Sequence, residues 1–204
     1  MSTYFEIFSL PHHLTIDTRA LEKSFYALSR KLHPDRFAGR PVAEQEAVLA
    51  ESSRLNDAYR TLKDPIARTE YLLKLEGVEL EEQSRAATDA ARAAGTAKKQ
   101  VVPEDLLEEA FELNMQLEEL RAAKKMGDDD PQLRQELLTA KSHFDEKLAA
   151  TDASLQALWS KWDAAADAND AAGKAAARDG MVAVLNRRSY LRNLVRDVNE
   201  ALEL

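Results

Sequence analysis

His33-Pro34-Asp35 is the segment whose residue types and spacing point most directly to chemistry. Proline fixes its own backbone torsion, lacks an N–H and disfavours helix in the residue before it, so the two polar neighbours are held in a short loop. Basic residues crowd the same stretch: Arg19, Lys23, Arg30, Lys31, Arg36 and Arg40, against Asp17, Glu22 and Asp35. Such a positive patch steers an acidic protein surface and speeds encounter. Taken alone, the tripeptide is a helix–helix turn with a solvated basic face.

Other groupings carry less. His12-His13 lacks a third partner at zinc spacing, and His143 reads as a solvated or partly buried helix residue. Asp128-Asp129-Asp130 lacks the spacing of a calcium loop. Carboxylates are plentiful, yet none sits beside a Gly-rich loop or a strand end, so acid–base catalysis has no footing and no enzyme is expected. The chain has no cysteine, which excludes disulfides, a thiol nucleophile and any thiolate-held metal or cluster; no cofactor is expected.

The 204 residues have room for one large or two small domains. A net charge of −8 argues against a nucleic-acid partner. Residues 1–75 carry 11 Lys/Arg and 10 Asp/Glu, leaving 17 and 26 in 76–204, so a near-neutral part precedes an acidic one. That division suggests two modules with different partners. No apolar run approaches the roughly 18 residues of a membrane span, and the N-terminus lacks a signal-peptide pattern, so a cytoplasmic protein is expected.

Periodicity reads as all-α throughout. A short helix over 4–10 is stopped by Pro11; Asp17 caps a second, with Leu21, Phe25, Leu28 and Leu32 inward; a third runs from Pro41 to Leu62; a fourth follows Pro65 and closes at Gly77. Residues 84–101 hold almost no large apolar side chain, and 78–102 reads as a linker. Three long helices follow within 103–204, read as an antiparallel bundle in which Trp159 and Trp162 are expected to pack and 164–173 to form a turn. In the last helix Met181, Val184, Leu191, Val195 and Val198 are expected to face inward.

The helix over 104–126 has more apolar surface than one core face needs. Leu106, Ala110, Leu113, Leu117 and Leu120 make one stripe, while Leu107, Phe111 and Met115 make a second, about one residue's rotation away. With Glu108, Glu112, Gln116 and Glu119 around it, the second stripe has the composition of a partner-binding face, or of a seam against the N-terminal helices.

Context changes the reading of the loop. Tyr4-Phe5-Glu6-Ile7-Phe8, the run from Tyr26 through His33-Pro34-Asp35 to Phe37, and Asn56 through Asp64-Pro65 together resemble a J domain. That resemblance implies docking on an HscA/DnaK-type ATPase chaperone and stimulation of its ATP hydrolysis. His33, Pro34 and Asp35 would be the stimulating loop and Arg30, Lys31 and Arg36 its electrostatic contacts. One departure is Tyr26-Ala27, where general J domains often carry a Lys-Arg pair.

The whole chain resembles the HscB-type family of iron–sulfur co-chaperones: a J domain at 1–77, a linker at 78–102, and a three-helix domain at 103–204. Residues 68–77 are similar to that family's junction, and 106–120 to its acidic, apolar helix, which binds an IscU-like cluster scaffold. The resemblance implies scaffold contacts at Leu107, Glu108, Phe111, Glu112, Met115 and Glu119, and at Tyr190 in Ser189–Leu194. Two alternatives stay open at this point, a J-domain co-chaperone for other clients and a helical interaction scaffold. The first predicts a Gly/Phe-rich linker or Cys repeats, and neither is present.

Overall fold

The computed structural model describes residues 2–78, 103–127 and 130–203, with only the backbone of Pro34. Apart from Val78, the expected linker lies outside them. Every regular element among the described residues is helical, as the periodicity implies. The helices are α1 (Tyr4–Ile7), α2 (Thr18–Lys31), α3 (Val42–Lys63), α4 (Pro65–Leu75), α5 (Leu107–Met126), α6 (Pro131–Asp167) and α7 (Ala171–Leu202). Short 3-10 turns occupy Pro34–Phe37 and Glu104–Leu106.

Local chemistry explains the boundaries. Thr3 and Glu6 form a capping box at α1, shorter than the span expected. Asp17 accepts from the N–H groups of Arg19 and Ala20 at the start of α2, and Asp64 accepts from Ala67 N–H where Pro65 opens α4. Asp130 caps α6 through Gln132 and Leu133. Gly77 and Gly127 sit at φ 79° and 76°, a left-handed conformation that glycine enters without a Cβ clash. The turn read at 164–173 shrinks to 168–170, where Asn169 supplies the left-handed residue.

The chain divides into two compact units. The first is Met1–Leu80 with Leu158–Asp179, the second Glu81–Ala157 with Gly180–Leu204. In the first unit, Phe5, Leu14, Leu21, Leu55, Leu62, Leu72 and Leu73 are buried, and so are Trp159 and Trp162 from the end of α6. The two tryptophans were expected in the C-terminal bundle; they pack instead in the unit of the N-terminal helices. Trp159 Nε1 donates to Thr69 Oγ1 at 2.9 Å, and the Arg68 guanidinium lies 5.4 Å from the Trp159 ring centre. Trp162 Nε1 donates to the His12 carbonyl at 3.1 Å.

Polar ties complete this packing. Asp163 accepts from Leu14 N–H at 2.7 Å and Thr15 N–H at 2.9 Å. His13 Nε2 lies 3.0 Å from Asp167. Arg68 is 4% exposed, and one guanidinium nitrogen donates to the Leu62 carbonyl at 2.6 Å. Burial pushes that guanidinium below its ordinary pKa. Asp163→Ala removes the acceptor of two backbone donors and is expected to cost about 1–3 kcal/mol. Urea unfolding followed by tryptophan fluorescence measures it.

In the second unit α5, the first part of α6 and the last part of α7 share one core: Leu106, Leu113, Leu117 and Leu120 meet Leu133, Leu137 and Phe144, and Leu191, Leu194, Val198 and Leu202. Ion pairs give the directions. Asp105 meets Arg187 and Lys124 meets Glu203, so α5 and α7 run the same way. Glu109 meets Lys147 and Asp152 meets Arg188, with α6 running against both. Arg187 donates to both Asp105 oxygens at 2.6 Å, and this hydrogen bonding holds the Asp105 carboxyl below its ordinary range. The inward stripe of α7 differs in detail from the expected one. Leu185 and Leu194 are buried, while Val184 and Val195 lie half-buried at its edge.

Candidate functional site

The loop begins where α2 must end. Leu32 closes the helix, and His33 takes an extended conformation at φ −68°, ψ 125°, as a residue before proline does. The 3-10 turn Pro34–Phe37 follows at once, with the Arg36 N–H donating to the His33 carbonyl at 3.0 Å. Arg36 also reaches back to donate from its guanidinium to the Arg30 carbonyl at 3.2 Å, so it satisfies one of the open carbonyls at the end of α2. On the far side, Gln45 of α3 donates to the carbonyls of Ala38 and Arg40 at 3.3 and 2.9 Å. Two side chains therefore pin the loop at both ends. Gln45 is a residue the sequence reading missed; its position in the first turns of α3, just after Pro41, was the available signal.

Within the loop the polar groups stay open. The Asp35 N–H lies 3.4 Å from His33 Nδ1, and the Asp35 carboxylate 3.6 Å from the same nitrogen, both too long for strong bonds. The two side chains are 57% and 88% exposed. A partner therefore meets hydrogen-bonding groups with little competition from the protein itself. Arg30, Lys31 and Arg36 are exposed beside them, and Arg30 and Lys31 occupy the last turn of α2, where cations suit the helix dipole. His33, Asp35, Arg30, Lys31 and Arg36 are thus brought together in one exposed basic patch around the backbone of Pro34.

The second candidate face lies on α5. Its core stripe, Leu106, Ala110, Leu113, Leu117 and Leu120, is 0–2% exposed. Leu107, Phe111 and Met115, which follow a different rotation, are 59%, 67% and 60% exposed. Glu108, Glu112 and Glu119 are exposed on the same side. At about 100° per residue the six share a face turned away from the core. Partly buried Tyr190 of α7 packs against the bundle core, and burial raises its hydroxyl above the ordinary tyrosine pKa. It belongs to the core's edge, where the other six are open to solvent.

Among the described residues, no group of three or more His, Asp or Glu is placed to hold a metal ion. Nor is any described helix long and apolar enough to cross a membrane. His143 is an exposed neighbour of Glu109 at 3.5 Å, and His12 shares a contact with Thr3.

Comparison with known proteins matches the N-terminal segment and the fold. Residues 3–71 match the family described as the DnaJ domain. The chain is similar in structure to chaperone HscB from Vibrio cholerae, with a TM-score of 0.64 and 24% identity over 98% of both chains. It is also similar to the human co-chaperone protein HscB, with a TM-score of 0.59 and 22% identity over 100% of this chain and 84% of that one.

Proposed function

We propose that this chain, which carries a DnaJ domain at residues 3–71 within an HscB-like fold, is a co-chaperone of iron–sulfur cluster assembly. Its J domain implies an ATPase chaperone as partner, here one of HscA/DnaK type. His33, Pro34 and Asp35 trigger hydrolysis, and Arg30, Lys31 and Arg36 provide the electrostatic contact. An IscU-like scaffold binds the face of Leu107, Glu108, Phe111, Glu112, Met115 and Glu119, with Tyr190 of α7 as a further contact. Delivery follows from tethering: one chain that holds both partners raises the concentration of each near the other. The chain acts as a regulator, any turnover belongs to the chaperone, and the reading places it in the cytoplasm.

What most supports this reading is the pinned, exposed His-Pro-Asp loop inside a segment that matches the DnaJ domain. The absence of cysteine fits an escort that does not compete for its client's metal, since thiolates would be rival ligands. The decisive experiment is single-turnover ATP hydrolysis by an HscA/DnaK-type chaperone with scaffold present. Wild type should accelerate it, and His33→Gln should return it to the basal rate. An exposed loop histidine contributes little to stability, so the variant should unfold at the wild-type midpoint. Full stimulation by His33→Gln would overturn the assignment of the loop.

A further inference from the structure

The outward stripe of α2 contains one residue that steering by charge does not explain. Arg19, Lys23, Tyr26 and Arg30 recur at spacings of four, three and four, and all four are exposed. The core side of the same helix is marked by buried Leu21. Tyr26 is 54% exposed, and among the described residues it and Phe111 are the aromatic members of the exposed large apolar side chains.

Tyr26 is also braced from behind. Its ring lies 5.5 Å from Phe25, tilted by 55°. Phe25 in turn stacks on Tyr59 of α3 at 4.1 Å and 12°. The Tyr59 hydroxyl donates to Glu22 at 3.0 Å, and Lys63 lies 3.7 Å from that carboxylate. An aromatic held in this way loses little rotamer freedom on being covered, and rigid aromatics are the residues from which binding hot spots are most often made.

We propose that Tyr26 is the apolar anchor and specificity determinant of the chaperone-docking face, inserted into an apolar recess on an otherwise acidic surface of the ATPase chaperone. The proposal rests on the docking function assigned above to the His33 loop. Two observations favour that occupant. The stripe is cationic on both sides of Tyr26, through Lys23 and Arg30, so it complements an acidic surface. It also runs into the loop, because Arg30 is the residue whose carbonyl Arg36 holds. Charge and ring then have separate tasks. Arg19, Lys23 and Arg30 set the rate of encounter and its salt dependence, while Tyr26 sets how long the complex lasts.

The test is association and dissociation kinetics of the full chain with an HscA/DnaK-type chaperone in its ATP form, at low and high salt. Tyr26→Ala should speed dissociation about tenfold, with association and its salt slope within about twofold of wild type. Tyr26→Phe should behave as wild type, and Arg30→Ala should slow association and flatten its salt dependence. Tyr26→Lys should associate faster at low salt and still dissociate fast. Saturating Tyr26→Ala should stimulate hydrolysis to the wild-type maximum, which separates docking from triggering. Dissociation of Tyr26→Ala within about twofold of wild type, with wild type binding and stimulating, would overturn the anchor and leave the docking function intact. A wild-type chain that neither binds nor stimulates would overturn the docking function and the anchor with it.

Discussion

Trp162→Ala is expected to destabilise the first unit by about 3–5 kcal/mol, the range for removing a large aromatic from a packed core. Trp162 is 1% exposed, so the ring cannot be deleted without leaving a cavity or forcing collapse around it. Two further losses come with it. The His12 carbonyl loses the indole N–H at 3.1 Å, and the Lys174 ammonium loses the ring face 4.7 Å away. Against a total stability of about 5–15 kcal/mol for a domain, this is a large fraction. The measurement is direct because both tryptophans lie in this unit, so in the variant the fluorescence of Trp159 alone reports its unfolding. A midpoint near that of wild type would mean that the end of α6 is dispensable to the core built by the N-terminal helices.

The second large effect falls on binding and spares stability. Changing Leu107, Phe111 and Met115 together to Ala should weaken scaffold affinity by about two to four powers of ten. Each side chain is more than half exposed in the free chain, and covering one in an interface is worth on the order of 1–2 kcal/mol. Three of them give about 3–6 kcal/mol, converted at about 1.4 kcal/mol per tenfold. Unfolding should shift by no more than about 0.5 kcal/mol, since exposed positions cost little and Ala is the best helix former. Leu113→Ala, at 1% exposure on the same helix, is the contrasting change: it should cost about 2–5 kcal/mol of stability. Calorimetric titration with an IscU-like scaffold checks the first expectation and urea unfolding the second. Affinity of the triple variant within threefold of wild type would remove the α5 face from the function.

Part of this pattern was legible because it is local. Asp17, Asp64-Pro65, Gly77 and Gly127 each act within one helical turn, and each ends or begins a helix where their chemistry predicts. Proline 34 is likewise a one-residue argument, and the loop it enforces is where it was expected. The two stripes of α5 were legible because 3.6 residues per turn turns spacing into direction. That the second stripe is exposed needed the structure, because the same spacing equally allowed a seam.

The end of α6 shows where such reasoning stops. A 37-residue helix keeps one periodicity from Pro131 to Asp167, yet its residues divide between two units at Leu158. Leu155 and Trp159 are both buried, one turn apart on the same helix, in different units. Periodicity says which face of a helix avoids water; it carries no information on what covers that face. The same limit hid the ties of Gln45 and Arg36 to the loop, which depend on two elements meeting through space. By itself, then, the sequence of this protein determined its helices, their ends, the exposed His-Pro-Asp turn and the apolar excess of α5, since each follows from neighbours within a turn or two. Only the tertiary structure decided which stripe stays open, where Trp159 and Trp162 pack, and how the loop is held, because burial belongs to pairs of surfaces that are distant along the chain.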